Sequence, residues 1–254
     1  MDKIRLPKKL KVFLVHLWLS LLVSGLTALL VLGLWYPYPY SDISGGRSIF
    51  LMILGVDIII GPLITFFVYN PKKSVREKLL DYSFIGILQL MALVYGLWTM
   101  YQARPVHVVF EYDRFVVVHA VEVPPTHFDP LGQGVDPLPM SGPTFISLRP
   151  VREQDKLEFT MAALSGVPVA ARPELWRPYA DAREEILQIA RPATELLVRF
   201  PTQGAQIRES IQRAGTGVEE IVYLPVASRG DQFWTILLNH DSLRPVGWLP
   251  IDSF

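Results

Sequence analysis

The sequence predicts a membrane protein in two parts: three transmembrane helices, followed by an extracytoplasmic α+β domain with antiparallel strands. Three observations predict this fold class. Three apolar runs, each of 20 residues or more, lie within the first 103 residues. Sixteen of the 21 prolines follow residue 103, where short valine-rich segments replace the apolar runs. The charged side chains are also divided unequally between the two parts.

The membrane domain comprises residues 1–103, with helices near residues 12–36, 49–69 and 82–101. A helix needs about 20 apolar residues to cross a hydrocarbon layer of about 30 Å, and each run meets that length. The first run exceeds the roughly 7–15 apolar residues of a signal peptide. It ends in an aromatic cluster at residues 35–40, which is typical of a membrane interface.

The formal net charge of zero is the sum of two opposite halves. Residues 1–103 carry ten basic and five acidic side chains, a net charge of +5, whereas residues 104–254 have a net charge of −5. Nine of the ten basic residues lie in two segments, residues 3–11 and 72–78. The positive-inside rule makes both segments cytoplasmic. Three crossings then place residues 104–254 outside the cytoplasm.

The extracytoplasmic domain, residues 104–254, combines strand and helix patterns. Valine-rich runs joined by a turn predict a hairpin, and turn residues between the last three strands predict an antiparallel meander. The proline-rich stretch at residues 124–150 predicts an irregular segment that contains one short strand. The predicted strands cover residues 106–110, 115–123, 144–148, 220–227, 233–238 and 246–250. The predicted helices cover residues 153–164 (with Leu157, Met161 and Leu164 on one face), 179–190, 193–199 and 205–214.

The sequence lacks most motifs that carry chemistry. It has no cysteine, which excludes disulfides and thiolate metal sites. Its five histidines form neither an i,i+4 pair nor a His-Glu-x-x-His motif, so we expect no metal site. His107 and His119 lie on neighbouring predicted strands, where we expect surface side chains. No phosphate-binding loop is present. We therefore expect no cofactor, no nucleic-acid partner and no small-molecule substrate.

Asp57 is the most unusual residue, because it lies near the middle of the second apolar run. An ionised carboxylate within a membrane is costly, and an intramembrane acid therefore indicates a functional site. Gly55 and Gly61 flank this acid and allow another backbone to approach closely. Pro62 removes one helical hydrogen bond and so leaves a carbonyl group open near the acid.

Three roles for Asp57 follow from its position. It can form a structural polar contact within the helix bundle, bind a membrane partner together with Gly55, Gly61 and Pro62, or take part in catalysis. Its candidate polar partners are His16 in the first helix, Gln89 in the third helix, or a basic group on another protein.

A catalytic role for Asp57 would resemble that of the intramembrane aspartyl proteases. These enzymes use a Gly-x-Gly-Asp motif and a second membrane aspartate, because one acid must be ionised while the other is protonated. Residues 54–57 read Leu-Gly-Val-Asp, without the first glycine, and no second acid lies inside any of the three predicted membrane helices. We therefore predict that the protein is not an enzyme.

Two segments carry a resemblance to a known family. They are Gly-Val-Asp-Ile-Ile-Ile-Gly-Pro at residues 55–62 and Val-Phe-Glu-Tyr-Asp-Arg-Phe at residues 109–115. Together with residues 35–37, 70–74 and 234–238, they resemble the type IV pilin accessory proteins of the TfpX/TfpZ type. The resemblance is weakest over the middle of the extracytoplasmic domain.

The resemblance implies a multi-pass protein of the bacterial inner membrane, with a cytoplasmic N-terminus and a periplasmic C-terminal domain. It implies a non-enzymatic role in the stability, assembly or surface display of a cognate type IV pilin. The implied partners are that pilin and the lipid bilayer. We further expect the helix around Asp57 to meet the apolar helix of the pilin, with the carboxylate paired to the free amine of the pilin.

One further class of function competes with this hypothesis. A membrane-anchored sensor with an extracytoplasmic ligand-binding domain has the same overall layout. Such a sensor needs a cytoplasmic output domain, whereas only the N-terminal segment and residues 70–81 are predicted to face the cytoplasm.

Overall fold

The computed structural model describes residues 7–124, 135–153, 156–164, 166, 168–228 and 232–254. The chain divides into two compact units. One comprises Met1–Ser41 and Gly45–Gln102, and the other comprises Asp42–Ser44 and Ala103–Phe254. The first unit is helical and the second contains a mixed sheet with helices, which confirms the predicted fold class.

Within the described residues, three helices are long and apolar enough to cross a membrane. Helix α1 is Lys8–Trp35, helix α2 is Gly46–Val68 and helix α3 is Val75–Gln102. A single helical turn, Tyr40–Ile43, lies between α1 and α2 in the sequence.

Helix α3 begins several residues before the apolar run that predicts it. Ser74 and Glu77 form a capping box at its start: Ser74 N donates to Glu77 Oε2 at 2.7 Å, and Glu77 N donates to Ser74 Oγ at 3.3 Å. These bonds satisfy two backbone groups that have no partner within a helix. The polar first turn of α3 is therefore helical although its side chains are hydrophilic.

The helical unit places polar side chains inside and apolar side chains outside. Ser20, Ser24, Thr27, Asp57 and Thr65 are buried. Exposed apolar residues occur on all three helices, among them Leu19, Leu22, Leu29, Phe67, Phe84 and Trp98. This arrangement is the one expected of helices surrounded by lipid, since lipid solvates apolar side chains and buried polar groups hold the helices together.

The second unit is built on one eight-stranded sheet within the described residues. Its strands in space follow the order β4-β3-β1-β2-β6-β7-β8, and β5 pairs with β6. The pairs β1/β3 and β2/β6 are parallel and the other pairs are antiparallel. The strands are β1 Pro105–Glu111, β2 Arg114–His119, β3 Thr144–Leu148, β4 Trp176–Pro178, β5 Arg191–Pro192, β6 Ile221–Ser228, β7 Gln232–Asn239 and β8 Pro245–Leu249.

Four α-helices of the described chain accompany the sheet: α4 Lys156–Leu164, α5 Arg183–Ile189, α6 Ala193–Arg199 and α7 Gly204–Ala214. Two hydrophobic clusters form the core of this unit. One joins β1, β2 and β3 to Phe159, Leu175 and Trp176. The other joins Leu196 of α6 and Ile207 of α7 to strands β6, β7 and β8.

Most predicted elements of the second unit are present. The first hairpin, the strand at residues 144–148 and the closing meander are confirmed, with shifts of one or two residues at most of their ends. The second strand is shorter than predicted, since residues 120–122 form a 3₁₀ turn. The predicted helix at residues 179–190 is also shorter, because Tyr179–Ala182 form a 3₁₀ helix before α5 begins. Part of the proline-rich stretch, residues 125–134, lies outside the described residues.

One expectation about side-chain positions is wrong. His107 and His119 are buried rather than on the surface, because both faces of the sheet are covered where their strands lie. In α4, Leu157, Met161 and Leu164 are exposed, whereas Phe159 is buried in the core.

Candidate functional site in the membrane helices

The backbone of α2 departs from a regular α-helix at the predicted site. Gly46–Gly55 and Gly61–Val68 are α-helical, whereas Val56–Ile60 form a wider π turn. Proline lacks an N–H group and its ring clashes with the carbonyl four residues earlier. The wider turn directly before Pro62 relieves both problems. Single π turns within α-helices frequently occur at functional sites.

Asp57 lies in this π turn and is the twelfth of the 23 residues of α2. Its side chain is buried, with 6% of the residue exposed. Its backbone carbonyl accepts a hydrogen bond from Gln89 Nε2 at 3.3 Å. No described residue donates a hydrogen bond to its carboxylate or forms an ion pair with it. The contact between Asp57 and Gln89 is therefore made through the main chain, and the carboxyl group is left without a partner in the described chain.

Gly61 makes room for the side chain of Gln89. A Cβ atom at Gly61 would overlap the amide group of Gln89. The absence of a side chain at this position lets the amide reach the carbonyl of Asp57 from α3. Gly55 differs, since no atom lies within 4 Å of the position that its Cβ would take. Of the two glycines predicted to allow a close approach, only Gly61 has a neighbour in the structure.

His16 contacts Thr65 rather than Asp57. Its Nδ1 atom lies 2.6 Å from the Thr65 Oγ1 atom, so a hydrogen bond joins α1 to the last two turns of α2. Both residues are polar groups within apolar helices, and such bonds hold membrane helices together.

His16, Asp57 and Gln89 nevertheless line one partly open cleft of about 280 Å³. The cleft lies between α1 and α3, and Asp57 of α2 is its only lining residue from that helix. The remaining lining residues are Leu19, Ser20, Val23, Gly86, Leu90 and Leu93. The structure thus brings three of the sequence-predicted residues to one site, although the three side chains do not bond to one another.

Helix α1 turns a polar face towards the bundle. Ser20, Ser24 and Thr27 follow one another at helical spacing and are buried. The Thr27 hydroxyl donates to the Ser24 carbonyl at 2.9 Å, whereas the Ser24 Oγ atom has no partner. We did not predict this polar face from the sequence. Serine and threonine at positions i, i+4 and i+7 of an apolar run nevertheless indicate a contact between membrane helices.

The cleft is suited to accept a cation or a hydrogen-bond donor from outside the chain. A carboxylate at mid-membrane depth is costly unless it is paired. Apart from His16, no described group that lines the cleft can carry a positive charge. Among the described residues, no group of three or more metal-binding side chains is placed to hold an ion. The site therefore has the chemistry of a binding surface with one acidic group.

A second buried polar cluster lies in the sheet domain, around His107. Its Nδ1 atom is 2.8 Å from Thr144 Oγ1 and its Nε2 atom is 3.2 Å from the Pro137 carbonyl. Its ring packs against Trp176 with centroids 4.4 Å apart. Burial lowers the pKa of His107 to about 4, and the Pro137 carbonyl and the nearby charge of Asp136 oppose this shift only in part. The neutral ring donates through Nε2 and accepts through Nδ1.

Arg104 adds to the same arrangement. This arginine is buried and donates hydrogen bonds from Nε to the Pro139 carbonyl at 3.3 Å and from Nη2 to the Leu138 carbonyl at 3.2 Å. Together with His107 it ties residues 137–139 to the start of β1. Both side chains therefore have a structural role.

Comparison with known proteins finds one matching sequence model and relatives that align over the whole chain. A sequence model described as fimbrial assembly protein FimB matches residues 4–45. Over its whole length the chain is 33% identical to a protein of Dichelobacter nodosus described as fimbrial assembly protein, serogroup I, of which the alignment covers 99%. It is 32% identical, with the same coverage, to the serogroup E1 protein of that organism.

A third relative from Dichelobacter nodosus, the fimbrial assembly protein of serogroups C1 and C2, is 44% identical over 118 residues. That alignment covers 46% of this chain and 90% of the relative. No solved structure matches the chain.

The two alignments that span the whole chain include the three apolar helices, the Asp57 segment and the sheet domain. They confirm the family resemblance found in the sequence. The chain belongs to the family of fimbrial assembly proteins.

Proposed function

We propose that this protein is a non-enzymatic accessory protein of the bacterial inner membrane, which assists the stability, assembly or surface display of a cognate type IV pilin. The similarity to fimbrial assembly proteins over the entire chain carries this proposal. It covers the membrane helices and the sheet domain alike, so the role of the relatives in fimbrial assembly is transferred to the whole chain and not to one module.

The distribution of basic residues supports a topology for this role. The helical unit has its lysines and arginines concentrated at the start of α1 and between α2 and α3. With these segments in the cytoplasm, the sheet domain lies in the periplasm. A protein of this layout can contact both the membrane helix and the periplasmic head of a pilin that has not yet been assembled.

The proposed contact region for the pilin contains Asp57, Gly55, Gly61 and Pro62. Pro62 supports the π turn that holds Asp57, and Gly61 admits the Gln89 side chain. Gly55 leaves an open position on the surface of α2, where a partner helix can approach closely. His16 and Gln89 supply the polar groups beside the acid.

Chemical crosslinking in living cells tests the proposed partnership. The full-length protein with an affinity tag is expressed in its native strain, crosslinked, extracted with detergent and purified. Pilin should be enriched at least several-fold over an unrelated three-helix membrane protein that carries the same tag. Equal recovery of pilin with both tagged proteins would refute a specific contact.

Fusions to reporter enzymes test the topology independently. Alkaline phosphatase, which is active only in the periplasm, should be active when fused after residue 254 and inactive when fused within residues 70–74. The reverse pattern would place the sheet domain in the cytoplasm and contradict the proposal.

A further inference from the structure

The cleft between α1 and α3 has features that the accessory function alone does not explain. Asp57 lines it, a residue that is only 6% exposed and whose carboxyl group has no hydrogen-bond partner or ion pair in the described chain. Its walls come from α1 and α3, and the two rims carry the exposed leucines Leu19 and Leu90. Small residues also line it, Ser20 on one side and Gly86 on the other.

The size of the cleft limits what can enter it. A helix with its side chains is about 10–12 Å across, so a space of about 280 Å³ admits side chains but not a whole helix. A partner helix can lie across the rims while one side chain or terminal group reaches Asp57. The small side chains at Ser20 and Gly86 allow this close approach, as small residues do at other membrane helix contacts.

The charge of Asp57 selects the group that enters. An acid at mid-membrane depth is stabilised by a cation, since both charges are otherwise costly in hydrocarbon. The large apolar side chains exposed on the three helices, such as Leu22, Phe67 and Phe84, offer no such charge. A phospholipid is a poor occupant of the cleft. The cationic part of its headgroup stays at the interface, and its acyl chains carry no group that can pair with a carboxylate.

We propose that this cleft is the docking site for one transmembrane helix of a partner protein, and that a protonated amine or a guanidinium of that helix pairs with Asp57. The inference rests on the proposed function in one respect, since it takes the partner helix to be that of the pilin. The pair forms at the depth of the π turn, and Leu19 and Leu90 contact the apolar sides of the incoming helix.

Site-specific photocrosslinking in the full-length protein tests this proposal. A photoreactive phenylalanine derivative replaces Leu19 or Leu90 in the cleft, or Leu29 as the control. Leu19 and Leu29 are both exposed leucines of α1, at 58% and 73%, but Leu29 does not line the cleft. Crosslinked products are identified by mass spectrometry after illumination of living cells.

The proposal predicts that positions 19 and 90 capture a membrane helix with a cationic group within one turn of the crosslinked residue. The yield should be at least five times that at position 29. Adding Asp57→Asn should reduce the yield at position 19 at least five-fold, whereas Asp57→Glu should retain most of it. Immunoblotting confirms that both variants accumulate to the wild-type level.

Other outcomes overturn the proposal. Capture of lipid alone, equal yields at positions 19 and 29, or an undiminished yield with Asp57→Asn would each contradict it. These failures are distinguishable from failure of the proposed function, which is measured by recovery of pilin with the wild-type protein. If pilin is recovered with the wild-type protein but no helix is captured at position 19, the cleft is not the docking site, and the accessory role is unaffected.

Discussion

Gln89 Nε2 lies 3.3 Å from the main-chain carbonyl oxygen of Asp57 and donates a hydrogen bond to it. The bond joins α3 to the π turn of α2, where the backbone lacks regular helical hydrogen bonding. It satisfies the carbonyl group of Asp57 and leaves the carboxyl group available to the cleft. One side chain on a neighbouring helix therefore stabilises the irregular backbone without occupying the carboxyl group.

Gly61→Ala should destabilise the helical unit. The added methyl group overlaps the amide of Gln89, which must move aside and so loses its hydrogen bond to the Asp57 carbonyl. Hydrogen bonds between membrane helices contribute about 0.6 kcal/mol on average and up to about 2 kcal/mol. The measurement is the unfolding temperature of the detergent-solubilised protein, which should fall by several degrees.

Gly55→Ala is the matched control. Both glycines lie within α2, so the change in helix propensity is similar, but a methyl group at Gly55 meets no atom within 4 Å. We expect an unfolding temperature equal to or slightly above that of the wild type. Equal destabilisation by the two substitutions would contradict the packing described for Gln89.

Thr65→Val should weaken the contact between α1 and α2. It keeps the shape of the side chain but removes the hydroxyl group that lies 2.6 Å from His16 Nδ1. Hydrogen bonds between membrane helices contribute about 0.6 kcal/mol on average and up to about 2 kcal/mol. Thr65→Ser, which retains the hydroxyl group, should preserve most of that stability. A double-mutant cycle with His16→Phe measures the coupling, and a coupling free energy of zero would rule out the bond.

Asp57→Asn should reduce the number of surface pili without lowering the amount of this protein. The amide is nearly the same size as the carboxyl group but cannot carry the negative charge that pairs with a cation. Pili are counted by electron microscopy, and protein levels are compared by immunoblotting. Unchanged piliation at an unchanged protein level would remove Asp57 from the proposed pilin contact.

The sheet domain should lose stability as the pH falls from about 6.5 to about 4. Burial lowers the pKa of His107 to about 4, so over this range the unfolded chain binds a proton that the folded domain does not. The stability of the folded state is therefore fully present above pH 6.5 and declines towards pH 4. The free energy of unfolding should fall by about 3 kcal/mol in total, because each pKa unit between the folded and unfolded states corresponds to about 1.36 kcal/mol.

His107→Gln tests the assignment of this pH dependence. Glutamine retains polar atoms but cannot be protonated, so the stability of the variant should change less between pH 6.5 and 4. Burial raises the pKa of Glu111 and gives a dependence of the opposite sign, which is present in both proteins and cancels in the comparison. The free energy of unfolding of each full-length protein is measured at both pH values by denaturant titration, followed by near-ultraviolet circular dichroism. Parallel pH profiles for the two proteins would contradict the role of His107.

Much of the architecture could be predicted from the sequence, because long apolar runs and alternating valine-rich segments are strong local signals. The three helices and the closing meander follow from such signals. Hydropathy predicts a start of α3 that is too late, since it marks only the part of a helix that lies in lipid. The Ser74 and Glu77 capping box, which extends it, is readable in the sequence as Ser-x-x-Glu.

The side-chain contacts were harder to predict, because they depend on tertiary packing. Asp57, His16 and Gln89 stand out as polar residues in apolar runs, and they do line one cleft. Sequence alone does not show that His16 bonds to Thr65, or that Gln89 bonds to a main-chain carbonyl. Nor does it show that His107 is buried, since that depends on which elements cover the sheet.

Counting pili in a deletion strain tests the proposal that this protein assists a cognate type IV pilin. Pilin is expressed from an inducible promoter, so that its synthesis is the same with and without the accessory protein. We expect a severe loss of surface pili, which the wild-type gene restores. Normal numbers of pili in the deletion strain would contradict it.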